Sequence, residues 1–268
     1  EGVEILQPGY AIEYDFLNPQ GLSSDLESGL LSGLFLAGQI NGTTGYEEAA
    51  SQGLVAAIGV AKRLLGAAPI QFDRSTSYIG VMIDDLTSRG ATEPYRMFTS
   101  RAEFRLKLRA DNADQRLTDQ GYTSGCVSSE RFAQYTEKIE KLTACRHSLS
   151  DMAVSPNQAR VAGIDLGLDG RRRNGHELLA IPGVSIQQLR ALEPSLIDRD
   201  IEALKQAGRE ALYVTYIERQ GRDIEALARD LSIQIPTAFE YAGISGLSSE
   251  MIAKLSKVRP QTLGAAKN

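Results

Sequence analysis

The chain has 268 residues, 42% of them hydrophobic and 24% charged, with a formal net charge of −5. That composition fits an ordinary globular protein of one large or two smaller domains, and no apolar run approaches a membrane span. The two cysteines, Cys126 and Cys145, make neither a disulfide framework nor a metal motif, and two histidines are too few for a His-rich metal site. The cysteines read as paired apolar residues or unrelated free thiols rather than a redox pair. The charge is unevenly spread. Residues 1–60 hold eight acids (Glu1, Glu4, Glu13, Asp15, Asp25, Glu27, Glu47, Glu48) and no Lys or Arg, leaving 26 acids against 29 bases beyond them. Overall acidity therefore does not exclude a nucleic-acid partner, because local patches do the steering.

Gly2 to Phe16 reads as extended. Tyr10, Ile12, Tyr14 and Phe16 alternate with Ala11, Glu13 and Asp15, the period of a half-buried strand. Asn18-Pro19-Gln20-Gly21 is a turn. Leu34 to Ala37 is a short apolar run between glycines and reads as a buried strand. A loop of glycine, asparagine and threonine follows, then a helix from Gly45 to about Gly66, with Gly66 and Pro69 as its stop. Thr44 and Glu47 have capping-box spacing. Ala50, Leu54, Ala57, Ile58, Ala61, Leu64 and Leu65 predict its buried face. Strand, glycine loop and helix start together present unpaired N–H groups to an anionic or electron-rich ligand. Packing alone produces the same pattern, and both readings stand open here.

A boundary is expected near residues 66–75. Tyr78, Val81, Met82, Asp85 and Leu86 predict a helix ending near Gly90, and Thr92 to Tyr95 a turn. Ser100 to Arg109 is read as a helix carrying Arg101, Arg105 and Arg109 four apart on one side. Three guanidinium groups in a row need an anionic answer, either phosphates or carboxylates of an adjoining domain. Asp111 to Arg116 lacks the glycine and closing glutamate of a calcium loop, and Asp114 fits better near a helix start or beside an arginine. A long helix is expected from Ser128 to about Leu149, with the stripe Phe132, Tyr135, Ile139 and Leu142. The loop Ser155 to Gly175 contains Arg171, Arg172 and Arg173, a phosphate contact or an exposed basic turn. Asp198 or Asp200 opens a further helix toward Leu231, interrupted at Ile235-Pro236. Ser248 and Pro260 begin two more. No Ser/His/Asp or Cys/His set suggests a catalytic centre, so no catalytic residue and no metal ligand is assigned.

Four stretches point together at one family: Pro8 to Asp15, Leu34 to Ala50, Pro94 to Leu106, and Asp111 to Asp114 with Arg116-Leu117-Thr118. Through them the chain resembles, over nearly its whole length, the FAD-dependent large subunit of the bacterial tRNA wobble-uridine carboxymethylaminomethyl modification system, also called the glucose-inhibited division protein A family. The resemblance implies a cytoplasmic, homodimeric flavoenzyme working with a tRNA-modifying GTPase. Its reaction adds an aminomethyl or carboxymethylaminomethyl group at C5 of the wobble uridine. Methylenetetrahydrofolate, NADH, and glycine or ammonium are consumed.

The implied fold class is an α+β fragment. Residues 1–70 would be the closing strand–loop–helix of an FAD-binding α/β domain, 71–127 a helical linker with an arginine-rich helix, and 128–268 a helical domain. Gly38, Gln39, Thr43, Thr44 and Gly45 would lie beside the flavin. Arg101, Arg105, Arg109 and Arg171 to Arg173 become candidate tRNA contacts, and the later helices a candidate docking surface for the GTPase. The family's amino-terminal G-x-G-x-x-G and its catalytic cysteines have no counterpart here, so a C-terminal fragment is expected, one that binds FAD weakly or not at all. The alternative is a non-catalytic helical module that binds tRNA or protein.

Overall fold

The computed structural model describes residues 2–66, 70, 72–167, 169–236, 238–260 and 262–267. Pro69, invoked above as a helix stop, lies outside them. The chain forms two compact units, residues 1–103 with 234–268, and residues 104–233. Among the described residues there are isolated β-bridges but no strand. No helix there is long and apolar enough to cross a membrane.

In the first unit, residues 2–18 have no regular structure, and the expected strand is not formed. Val3, Ile5, Leu6, Tyr10, Ile12, Tyr14 and Phe16 are all exposed. The physical reason is pairing: a strand without a ladder partner leaves its backbone to water. The run Leu34 to Ala37 also falls short of a strand. Its contribution is one antiparallel bridge, Glu27 to Phe35, beside a second from Leu22 to Ser28. Helix α1, Tyr46–Leu64, forms where it was expected. Its buried side is different. Glu48, Gln52, Val55, Ala56, Ile58 and Gly59 face inward, whereas of the predicted stripe only Ile58 does. Leu54 and Leu64 are exposed. The inner face is polar at its start, Glu48 and Gln52, and apolar further on, Val55, Ala56 and Ile58, with Gly59 making room for a loop. Asp25 and Phe35 approach Gly59 so closely that a Cβ there would meet them at 3.0–3.2 Å.

Helix α2, Tyr78–Asp84, is capped by Ser77, whose hydroxyl accepts the Gly80 N–H at 2.9 Å. It runs into a wide π-type turn, Asp85–Arg89, and stops at Gly90 with φ of 76°. Leu26, Val55, Ala56, Met82, Ile83, Leu86 and Tyr95 make the core of this unit.

The second unit is helical: α3 Ala113–Thr123, α4 Ser129–Asp151, α5 Pro156–Val161, α6 Gly175–Leu179, α7 Ile186–Leu192 and α8 Ile201–Ser232. Ser128, Ser155, Asn174, Ser185 and Asp200 cap five of them, three with complete capping boxes. Leu142, Cys145 and Leu149 of α4 pack on Leu178, Leu179, Leu189, Leu196, Leu204 and Ala207. Cys126 is exposed and Cys145 buried, both as free thiols. The chain then returns to the first unit with α9 Ser249–Val258 and α10 Leu263–Lys267. Leu149 is fully buried between α4 and its neighbours. Leu149→Ala should lower stability by about 2–5 kcal/mol. Urea unfolding followed by far-UV circular dichroism checks this, and a midpoint unchanged from wild type would contradict the packing.

Candidate functional site

The loop from Gly38 to Gly45 has an inner wall and an open rim. Gly38 and Gly42 take φ of 89° and 84°, a region only glycine enters cheaply, and between them Gln39–Asn41 makes one tight 3-10 turn. On the inner side Asn41, Thr43 and Gln52 are buried. Gln52, from α1, holds them. Its Oε1 accepts the Gly38 N–H at 3.1 Å and the Asn41 amide at 2.8 Å. Its Nε2 donates to Thr43 Oγ1 at 2.9 Å and to the Glu48 carbonyl at 3.2 Å. Thr43 Oγ1 in turn donates to the Gly38 carbonyl at 3.1 Å. On the rim Gln39 and Thr44 are exposed, and Tyr46 is 93% exposed.

The helix start differs from the sequence reading. Gly45 is the N-cap and makes no side-chain cap, so the Thr44–Glu47 capping box is not formed. Glu48 fills the space instead. Its Oε1 accepts the Met97 N–H at 2.8 Å and Arg96 Nε at 3.2 Å. Burial pushes its carboxyl up, but the N–H groups of Met97 and of Glu48 itself, with the Arg96 guanidinium, outweigh that and hold it below the ordinary carboxylate value.

The segment that carries Arg96 and Met97 is fixed from below. Tyr95 N–H donates to the Gly42 carbonyl at 2.8 Å, and Thr43 and Tyr95 form a parallel bridge. Tyr95 Oη donates to Asp85 at 2.9 Å. Arg74, buried, meets Asp85 at 2.6 Å, Asp84 at 2.9 Å and Glu103 at 2.7 Å. Burial and the Asp85 carboxylate push the Tyr95 phenol far up. Glu48, Gln52, Arg74 and Tyr95 were missed at the sequence level. The available signal was the pair Glu48 and Gln52, four apart and so on one side of α1, one turn before the apolar Val55 and Ala56.

What the loop offers is a donor set. The first-turn N–H groups of α1 lack intrahelical acceptors, as in any helix. The Gln39 amide and Thr44 hydroxyl stand beside them on the rim. An ionised Glu48 at the same helix end disfavours a second full anion there.

The arginine row is not on a helix. Thr99–Arg101 is a single 3-10 turn, and turns follow through residue 107. Burial of Ala102, Phe104 and Leu108 holds these turns, and Arg101 Nε bonds the Arg96 carbonyl and Arg109 Nη1 the Leu106 carbonyl at either end. In the first unit Arg101 lies over the Tyr95 ring at 4.3 Å. In the second, Arg109 pairs with Asp111 at 2.9 Å and lies over Tyr213 at 4.6 Å, while Arg105 is exposed. Of the triplet, Arg171 pairs with Glu177, Arg173 with Asp169 at 2.7 Å, and Arg172 is exposed. Asp114 sits in the first turn of α3, as expected, and pairs with Lys138. Among the described residues no cluster of His, Cys, Asp and Glu could hold a metal ion.

Three family profiles match in order. "Glucose inhibited division protein A" covers residues 1–68, "tRNA modifying enzyme MnmG/GidA C-terminal helical domain" residues 129–221, and the corresponding "C-terminal helical bundle" residues 223–268. The chain belongs to the MnmG/GidA family. Two curated relatives, both called tRNA uridine 5-carboxymethylaminomethyl modification enzyme MnmG, come from Granulibacter bethesdensis and Syntrophotalea carbinolica. They are 45% and 47% identical over 98% and 99% of this chain. The chain spans 42% and 43% of their lengths. Aquifex aeolicus GidA, in its form II crystal, superposes with a TM-score of 0.79 at 36% identity, covering 94% of this chain and 40% of that one. Its form I crystal gives 0.76 at 35% identity, covering 94% and 39%. The first MnmG/GidA profile contains the Gly38–Gly45 loop and α1 whole, and the second takes in α4 to α7 and most of α8.

The Gln52 amide makes four buried hydrogen bonds at the loop's inner wall. Gln52→Leu keeps the volume and leaves the Gly38 N–H orphaned, and should cost about 3 kcal/mol. Chemical denaturation reads this directly, and a loss below ~1 kcal/mol would show that the clamp is dispensable.

Proposed function

We propose that the chain is the flavin-facing and tRNA-facing part of a tRNA wobble-uridine modification enzyme. The observation that carries the reading is the Gly38–Gly45 loop, clamped on its inner wall and open on its rim at the start of α1. The names of the curated relatives and the family membership support it. In this reading the complete enzyme adds a carboxymethylaminomethyl or aminomethyl group at C5 of the wobble uridine. It uses methylenetetrahydrofolate, NADH, and glycine or ammonium. It acts in the cytoplasm as a homodimer with a GTPase partner docked on the later helices. Residues 1–70 close the FAD-binding domain, 71–127 link it, and 128–268 form the helical domain.

FAD supplies two-electron transfer when bound. The loop's residues fit one portion of that cofactor better than the other. Exposed amide, hydroxyl and first-turn N–H donors suit the acceptor edge of an isoalloxazine ring. The Glu48 carboxylate, in a segment of 60 residues without Lys or Arg, suits a pyrophosphate poorly. Gln39 and Thr44 would orient the ring edge, Gly38 and Gly45 let the backbone come close, and Thr43 braces the wall behind them. The exposed alternation Tyr10, Ile12, Tyr14 and Phe16, with Leu54 and Leu64 exposed on α1, supports the closing-strand role: such a face awaits a sheet and its covering layer.

Two tests follow. In the full-length enzyme, Gln39→Ala should weaken FAD binding about tenfold, the value of one good hydrogen bond. Fluorescence titration measures it, and unchanged affinity would remove the loop from the cofactor site. For tRNA, Arg105 and Arg172 are the exposed candidates that no ion pair occupies among the described residues, Arg101 being half-buried over the Tyr95 ring. The double change Arg105→Ala with Arg172→Ala should reduce the salt slope of tRNA binding by about two. Gel shifts at several salt concentrations give that slope. An unaltered slope would place the phosphate contacts elsewhere.

A further inference from the structure

Glu48 is only 4% exposed, and its Oε2 is buried with no hydrogen-bond donor. It stands three positions after the N-cap, in the first turn of a 19-residue helix. A side-chain atom at Gly45 would overlap its carboxylate, so the charge is pressed against the N-cap backbone. The hydrogen bonds it receives from other residues, the Met97 N–H and Arg96 Nε, both fall on Oε1. The Arg96 side chain is 50% exposed, so water weakens the compensation it provides. A buried, half-satisfied carboxylate therefore sits where the positive end of the α1 dipole would otherwise act alone. The rim residues Thr44 and Tyr46 lie within one helical turn of it, a rise of about 5 Å.

We propose that Glu48 is a positioning residue that sets the potential of the flavin-facing loop: it ties Arg96 and Met97 to the start of α1 and keeps a negative charge behind the ring, making the flavin harder to reduce. This rests on the flavin reading above. The two halves of the Glu48–Arg96 pair act oppositely. Removing the carboxylate frees the helix dipole and the Arg96 charge to favour added electrons. Removing the guanidinium leaves the carboxylate less compensated and disfavours them.

The test is the flavin midpoint potential of the FAD-loaded, full-length enzyme, read by spectroelectrochemical titration. Glu48→Gln keeps the side-chain shape and an acceptor for the Met97 N–H, while placing an uncharged NH2 group at the Oε2 position. It should shift the reduction equilibrium at least tenfold toward the reduced form, about 30 mV for a two-electron couple. Arg96→Met should shift it the other way. A role in packing alone would not produce opposite signs, so unchanged potentials or shifts of the same sign overturn the proposal. Should Glu48→Gln fail to fold, Arg96→Met decides alone, and an unchanged or raised potential overturns it. Gln39→Ala separates the two layers. Weakened FAD affinity with unmoved potentials in the pair variants removes the Glu48 role only. Unchanged FAD affinity removes the flavin reading and this inference with it.

Discussion

One side-chain amide decides the shape of the candidate site. Gln52 has two donors and two acceptor positions, and its buried setting uses all four. Each bond adds about 1 kcal/mol net, yet leaving one such group unpaired in the interior costs more than making the bond gains. The loop is thus held less by attraction than by the absence of any cheaper arrangement for Gly38, Asn41 and Thr43. A loop of three glycines is entropically expensive to order. Fixing its inner edge to a helix leaves the outer edge rigid while still open to solvent, which is the condition for a preorganised binding rim.

A second constraint reaches the same loop from residues 74–103. Arg74 is a buried cation with three carboxylates around it, Asp84, Asp85 and Glu103. A buried charge of this kind is tolerable only with complete pairing. Asp85 passes the restraint on to Tyr95 through the phenol, and Tyr95 passes it to Gly42 through its backbone N–H. Arg96 and Met97 then reach Glu48. The chain of contacts runs from ion cluster to aromatic to glycine loop to helix start without a gap. It explains why the Tyr95–Met97 segment, which has no regular secondary structure, is nonetheless well placed.

Most of the helical unit was legible, although α5, Pro156–Val161, forms inside the stretch read as a loop, Ser155 to Gly175. The supports of the Gly38–Gly45 loop were not legible. Helices in residues 104–233 announce themselves with Ser, Asn and Asp caps and with leucines at helical spacing, and Leu142, Leu149 and Leu204 are buried as such residues should be. In α1 the rule inverts. Its inner face mixes Glu48 and Gln52, which hold the polar loop, with Val55, Ala56 and Ile58, so a search for a purely apolar side selects Leu54 and Leu64, which are exposed. Residues 100–109 failed differently. Ala102, Phe104 and Leu108 are buried at spacings of two and four, which suit strand, helix and turn alike. Packing settled the matter: those three are buried on non-helical backbone, and arginine and asparagine donors bond the carbonyls of Arg96, Leu106 and Lys107 at either end. The likeness to a family was legible because it depends on residue order, which neither failure disturbs.

The charge asymmetry takes on a different meaning once the pairs are known. Residues 1–60 contain no base of their own, yet Glu27 is answered by Arg63 and Glu48 by Arg96, both within the first unit. The basic residues beyond position 60 are spent in the same way: Arg74 on three acids, Arg109 on Asp111, Arg171 and Arg173 on Glu177 and Asp169. Guanidinium groups so engaged present reduced fields to a phosphate backbone, because a carboxylate already occupies the fork. Sequence proximity of arginines is therefore a poor measure of a polyanion surface in this chain. The relevant quantity is the charge left over after internal pairing, and by that measure Arg105 and Arg172 count for more than Arg109, Arg171 and Arg173 beside them in sequence. The same bookkeeping separates the two chemistries proposed for the protein. Around the loop the buried acid Glu48 is matched only by the half-exposed Arg96, which suits a neutral ring, whereas in the helical unit Arg105 and Arg172 are exposed and hold no ion pair among the described residues, which suits phosphates.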